Sequence, residues 1–202
     1  MSSRDAILAK VRQAGRQPVP LPRVPLFDQD LPPALPRFRA ALERIGGAWL
    51  ESTGEGDVGA LIRQRFPNAK VICSATEEVA GTRPLPASAD TRAVADVDVG
   101  VVRAAFAVAE TGSVWLSERE YRVNTLGYLA QHLVVLLDPA DIVGNLHHAY
   151  RRDEFFAASY GALVSGPSAT ADIQGVLIRG AQGVRSLTVI PLARPVQKES
   201  DA

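Results

Sequence analysis

Two short segments concentrate the side chains able to do chemistry. The first is Ala109-Glu110-Thr111-Gly112-Ser113 and the second is Ser165-Gly166-Pro167-Ser168-Ala169-Thr170-Ala171-Asp172. In the first, a carboxylate leaves an apolar run and enters a tight turn, with the hydroxyls of Thr111 and Ser113 beside it. Partial desolvation there suits Glu110 to act as a base, a nucleophile or a ligand-orienting group. A turn acid that bonds its own backbone accounts for the same residue somewhat better on physics alone. In the second, an apolar run ends at Gly166-Pro167 and the pattern predicts a helix that Ser168 or Thr170 caps. The free N–H groups of such a helix start, together with its dipole, favour a phosphate or carboxylate. A capped helix whose dipole Asp172 merely complements is the alternative. The candidate catalytic residue is therefore Glu110. The candidate ligand-binding residues are Thr111, Gly112, Ser113, Ser165, Gly166, Pro167, Ser168, Thr170 and Asp172.

Other chemistries find less footing. His147 and His148 are adjacent, and neighbouring helix positions diverge by about 100°, so the pair cannot easily share one ion. His132 opens an apolar run and reads as a core or edge residue. No G-x-S-x-G nucleophile elbow and no G-x-G-x-x-G dinucleotide fingerprint occurs. The single cysteine, Cys73, rules out an internal disulfide and any cysteine-ligated zinc or iron–sulfur site built by this chain alone.

The elements that must position these segments follow from periodicity. Residues 3–14 read as a short amphipathic helix capped by Ser3. Seven of the 14 prolines then fall between positions 18 and 36, which predicts an extended arm that serves as a linker. Helices are expected over 35–45 and 58–66, with short strands at 48–50 and 71–73, and a loop over 81–92. Strands at 107–109 and 113–116 flank the Glu110 turn, where glycine supplies a positive φ. The fully apolar run 132–138 is a strand, a helix is expected over about 140–157, and 162–165 is the next strand. A helix whose face carries Ile173, Val176, Leu177 and Gly180 follows, and 187–192 is the last strand. Strands alternating with helices indicate an α/β fold with an open, mostly parallel sheet flanked by helices. The domain reading is an N-terminal helix and proline-rich arm over 1–33 and an α/β domain over 34–195.

Composition narrows the function classes. The 202 residues carry 22 basic and 22 acidic side chains, and only 2 Trp, 4 Tyr and 6 Phe. A zero formal charge without a basic cluster argues against nucleic acid, and so few aromatics argue against a base-stacking platform. No apolar run approaches the ~20 residues of a membrane span, and the first residues are too charged for a secretory signal, so the expected compartment is the cytoplasm.

The segments AFAVAETGSVWL, HLVVLLDPADIV and VSGPSATADIQGVLIRGAQGVRSLTVIPL together resemble the lactate-utilization (LUD) domain family, and within it the protein C branch. The resemblance covers roughly residues 95–192. The family pattern maps onto Glu110, Thr111, Gly112 and Ser113, and onto Ser165, Gly166, Pro167, Ser168, Thr170, Ala171, Asp172 and Ile173. It departs at Ala169, where the family carries arginine, and at Gln174, where it carries glutamate. It departs again at Gly180-Ala181-Gln182-Gly183-Val184, where a family histidine and proline are missing. The resemblance implies a fold like that of the sugar-phosphate isomerase and CoA-transferase group. It implies a part in converting L-lactate to pyruvate, with no cofactor in this chain and iron–sulfur clusters in partner proteins. The helix start expected after Ser168 adds a small carboxylate or phosphate as the expected ligand. The competing expectation is a stand-alone enzyme on a phosphorylated or CoA-linked small molecule, with Glu110 as nucleophile or base.

Overall fold

The computed structural model describes residues 2–15, 20–51, 57–86, 92–172 and 174–194. In chain order the elements are α1 (Ser3–Gln13), α2 (Ala34–Arg44), β1 (Ala48–Trp49), α3 (Val58–Arg65), β2 (Ile72–Ser74), β3 (Val99–Arg103), β4 (Phe106–Val108) and β5 (Ser113–Ser117). They continue with α4 (Glu118–Tyr121), α5 (Leu126–Leu129), β6 (His132–Leu137), β7 (Ile142–Val143), α6 (Leu146–Ala149), α7 (Asp153–Ala157), β8 (Gly161–Val164), β9 (Ala169–Thr170), β10 (Ile178–Arg179) and β11 (Ser186–Pro191).

The apolar runs at β3, β6 and β11 have the composition of strands covered on both faces. They form the centre of a parallel five-stranded sheet in the order β1-β11-β6-β3-β2. Alternation divides the side chains between two cores. Ile72, Val99, Val101, Val134, Leu136 and Ile190 meet Val58 and Ile62 of α3 on one face. Val102, Leu133, Val135, Leu137, Leu187 and Val189 meet Phe38 and Leu42 of α2 on the other. Because every pairing is parallel, all five carboxyl ends point the same way. That fixes one edge of the sheet as the place where strand ends and loops gather.

A second sheet, ordered β7-β4-β5-β8, packs against this layer. Its β4–β5 and β5–β8 pairs are antiparallel and its β4–β7 pair is parallel. Ala107, Ala109, Val114 and Leu116 join the core around α2, whereas Phe106, Val108 and Trp115 face Ala149 and Phe155 on the outside.

Several sequence expectations need correction. The apolar run before Glu110 is two strands, and its first part, β3, is central to the parallel sheet. The single helix expected over 140–157 is instead a 3-10 turn at Pro139–Asp141, then β7, α6 and α7. Ile142 pairs with Ala107 in the second sheet, and the Asn145 side chain accepts from His148 N and starts a new helix. Phe156, which falls with Ile142 and Leu146 on the inner side of the helix expected over 140–157, is 69% exposed. The helix after Ser168 is absent among the described residues. A hairpin of β9 and β10 occupies that place, turned through Gln174 and Gly175 at φ 56° and 70°. Ile173 lies outside the described residues. The cap of α1 is Ser2, reciprocated by Asp5, not Ser3. The arm also does more than link. Asn145 Nδ2 donates to the carbonyls of Leu26 and Phe27 at 2.7 and 3.2 Å, and the Phe27 ring meets His147 at 4.9 Å.

Candidate functional site

The two motif segments do come together. Antiparallel pairing of β5 with β8 brings Ser113 beside Ser165, with their hydroxyl oxygens 2.6 Å apart. Ser113 Oγ donates onward to Thr111 Oγ1 at 2.7 Å, so the three hydroxyls form a chain. Both glycines here have positive φ, 68° at Gly112 and 73° at Gly166, and both lie against the last turn of α2. A Cβ on Gly112 would sit 2.4 Å from Leu42 N, and one on Gly166 would sit 2.8 Å from Ile45 O. Only glycine permits both the backbone conformation and that approach. This end of the second sheet is thus a packed joint between two hairpin ends and a helix.

The acid of the motif stands apart from the joint's interior. Glu110 is exposed, and its carboxylate accepts from Leu146 N at 3.1 Å. The anion site expected at a helix start has no helix to supply it. Ser168 instead bonds through its backbone to Val184 and Gly180, both at 2.9 Å. Thr170 Oγ1 donates to Asp172 Oδ2 at 2.6 Å, a local turn contact on the exposed hairpin. Among the described residues, Ser168, Thr170 and Asp172 make no hydrogen bond to the 110–113 turn. Pro167 is buried beside Gly166.

A cleft of about 400 Å³ opens elsewhere, at the carboxyl ends of β2 and β3. It is lined by Thr76 and Glu78 after β2, Arg103 at the end of β3, Arg119 and Arg122 around α4, and Arg194 beyond β11. In open parallel sheets, ligands bind at this edge. Arg103 is the centre of the arrangement, with its side chain only 12% exposed. It ion-pairs with Glu78 and donates through Nη1 to Leu192 O at 3.0 Å, and its Nε is buried without a hydrogen-bond partner among the described residues. Glu78 also receives the Thr76 hydroxyl. Burial pushes the Glu78 carboxyl up, but the hydrogen bonds from Arg103 and Thr76 outweigh it and hold the group below its ordinary range.

The other arginines are positioned by backbone and carboxylate contacts. Arg194 donates to Ala104 O at 3.0 Å, Ala105 O at 3.1 Å and Asp141 Oδ2 at 2.8 Å. Arg119 donates to Ala157 O at 2.9 Å. Arg122 is an exposed non-glycine residue at φ 56°, a conformation that costs of order 1 kcal/mol and collects at functional sites. Two of the cleft's carboxylates are already committed. Glu78 pairs with Arg103, and Glu120 caps α4 by accepting from Ser117 N and Oγ at 2.7 and 2.6 Å. Glu77 is a third lining carboxylate and is exposed, so four arginines meet three acids and the cleft keeps one net positive charge, which suits a small anion. The sequence reading missed these residues. The available signal was Arg103, a cation that closes the buried apolar run Val99-Gly100-Val101-Val102.

Among the described residues no group of three or more His, Cys, Asp or Glu is arranged to hold a metal ion, and no helix is long and apolar enough to cross a membrane. His148 is taken up by Asn145 Oδ1 at 2.8 Å and Asp28 at 3.5 Å.

Comparison with known proteins agrees with the architecture. The chain is 24% identical over 220 residues to a Neisseria meningitidis protein named Uncharacterized protein NMB1437, covering 95% of this chain and 94% of that one. Its fold matches the crystal structure of a DUF162 family protein from Deinococcus radiodurans, with a TM-score of 0.53 and 17% identity over 78% of this chain and 95% of that one. The family model for the LUD domain matches residues 75–191, a span that takes in both motif segments and most of the arginine cleft. The chain belongs to the LUD domain family.

Proposed function

We propose that this protein is a component, carrying no cluster of its own, of an iron–sulfur system that oxidises L-lactate to pyruvate, and that its arginine cleft holds the carboxylate of the 2-hydroxy or 2-oxo acid. The observation that carries the reading is a net cationic cleft at the carboxyl ends of β2 and β3 in a LUD-family chain. A guanidinium presents paired donors that match a carboxylate, and a half-enclosed site strengthens such contacts. Arg122 and Arg119 at the rim engage the ligand's carboxylate. The Arg103–Glu78 pair fixes the floor of the cleft.

Oxidation of lactate to pyruvate releases two electrons and two protons. Cys73 is fully buried in the core and is the chain's only cysteine; in this reading the electrons pass to partner proteins bearing iron–sulfur clusters. This chain contributes binding and orientation. The competing reading, with Glu110 as nucleophile or base, gains little from an exposed carboxylate bound to Leu146 N outside the cleft.

Titration calorimetry of the purified chain with L-lactate, pyruvate, inorganic phosphate and coenzyme A tests the ligand. Saturable binding of L-lactate or pyruvate, lost in Arg122→Ala and kept in Glu110→Gln, is the expected result. Anaerobic pull-down from the native host should recover cluster-bearing proteins, and deletion should abolish growth on L-lactate. Binding of phosphate or coenzyme A alone, with growth on L-lactate intact after deletion, would overturn the proposal.

A further inference from the structure

A second cleft, of about 340 Å³, lies at the opposite edge of the parallel sheet, where β3, β6 and β11 begin. It is bounded by residues 65–69, Asp98, Gln131, His132 and Arg185. Arg65 closes α3, with its guanidinium 5.4 Å from the centre of the Phe66 ring. Arg185 enters from the turn before β11, tied by its backbone N–H to Gln131 O at 2.8 Å. Among the described residues neither arginine forms an ion pair. The one carboxylate present, Asp98, spends Oδ2 on the backbone N–H groups of Lys70 and Val71 at 2.7 and 2.9 Å. The cleft therefore holds two guanidiniums outside any ion pair and one ionised carboxylate bound to the backbone, so it is cationic by one charge while His132 is neutral.

His132 stands between them. Its ring stacks on Phe66 at 4.7 Å and 29°, and Nδ1 lies 2.8 Å from Ser186 Oγ. Burial first, and then the charges of Arg185 and Arg65, push the His132 pKa below its ordinary value against the opposing charge of Asp98. The shift favours the neutral imidazole, and an entering anion would favour the charged form.

We propose that this cleft is a binding site for a doubly charged oxyanion of the phosphate-ester class, gripped between Arg65 and Arg185 with His132 alongside. Two guanidiniums outside any ion pair present two forks of donors, which a tetrahedral oxyanion with several acceptor oxygens engages more fully than a monocarboxylate does. The volume exceeds that of a bare phosphate and leaves room for an organic group against Phe66. The site rests on side chains separate from those of the arginine cleft, so it stands or falls independently of the lactate reading.

The test uses the full chain labelled at histidine and followed by NMR, with the His132 signal assigned by its loss in His132→Gln. Sulfate serves as the probe because it stays a dianion across the pH range. Sulfate should shift the His132 signal saturably, raise its pKa and bind more tightly at pH 6 than at pH 8. Arg65→Gln and Arg185→Gln should each weaken binding about tenfold or more. Arg65→Lys should fall between Arg65→Gln and the wild type, which guards against loss of fold as the cause. Inorganic phosphate should behave like sulfate near neutral pH, and acetate should not saturate. No saturable shift up to tens of millimolar sulfate, an equal response to acetate, or unchanged affinity in the arginine variants would overturn the proposal.

Discussion

The two ends of strand β5 differ in almost everything but their distance. At about 3.3 Å per residue they lie roughly 13 Å apart. The amino end, at Ser113, is a joint of glycines and hydroxyls pressed onto α2. The carboxyl end, at Ser117, opens through α4 into a cleft of arginines and carboxylates. The first carries the most recognisable sequence pattern in the chain, and the second carries the charge. A compact motif can therefore mark a structural requirement, here two close backbone approaches, while ligand recognition is assembled from segments far apart in sequence.

The largest expected effect falls on the joint. Gly112→Ala places a Cβ 2.4 Å from Leu42 N and forces a positive φ on a residue that resists it. Urea denaturation should show a loss of about 3 kcal/mol or more, with the cleft's ligand affinity unchanged in whatever folded protein remains. If the variant instead keeps full stability and loses binding, the assignment of roles to the two ends is reversed.

Next comes the floor of the cleft. Arg103→Met leaves the mostly buried Glu78 carboxylate without its partner and should cost about 3 kcal/mol. The double variant Arg103→Met with Glu78→Gln should recover part of that loss, since both charges are then gone. A double-mutant cycle measures the recovery, and strict additivity would show that the pair is not coupled.

Much of the frame behind this comparison was legible beforehand. The apolar run 132–138 could only be a buried strand, and 35–45 had a clean helical face ended by Gly46-Gly47. The Glu110 turn was placed correctly because a glycine between two apolar strands has few other uses. Two elements were misread for a shared reason. Ile142 and Leu146, and likewise Ile173 and Leu177, fall at helical spacing, but a local period does not reveal a strand partner. Ile142 is claimed by Ala107, and Ile178 by Thr170, through pairing across many residues. The cleft was illegible for the same kind of reason. Thr76, Arg103, Arg122 and Arg194 become neighbours only once the strand order β11-β6-β3-β2 is known.

Acid should weaken the cleft before the joint. The Glu78 carboxyl is held below its ordinary value of 4.5 in the folded protein. It thus adds stability above that value and loses it as pH falls through the folded pKa. Thermal melts from pH 7 down to pH 3 should show this loss in the wild type and a shallower acid limb in Glu78→Gln. Identical limbs would remove the pair from the account.

The smallest effect concerns Arg122. Replacing it with glycine relieves a positive φ and should change stability by less than about 1 kcal/mol, in the favourable direction. The same variant should lose affinity for a small carboxylate, so stability and binding move in opposite senses. A variant that gains neither stability nor a binding defect would deny the strained backbone any part in recognition.

The central claim is that ligand recognition lies at the arginine cleft and not at the motif joint. A crystal structure of the chain soaked with pyruvate tests it most directly. The account predicts a carboxylate bound by Arg119 and Arg122 at the rim of the cleft, at the carboxyl ends of β2 and β3. Pyruvate bound against Glu110, Ser113 and Ser165 with the cleft empty would contradict it.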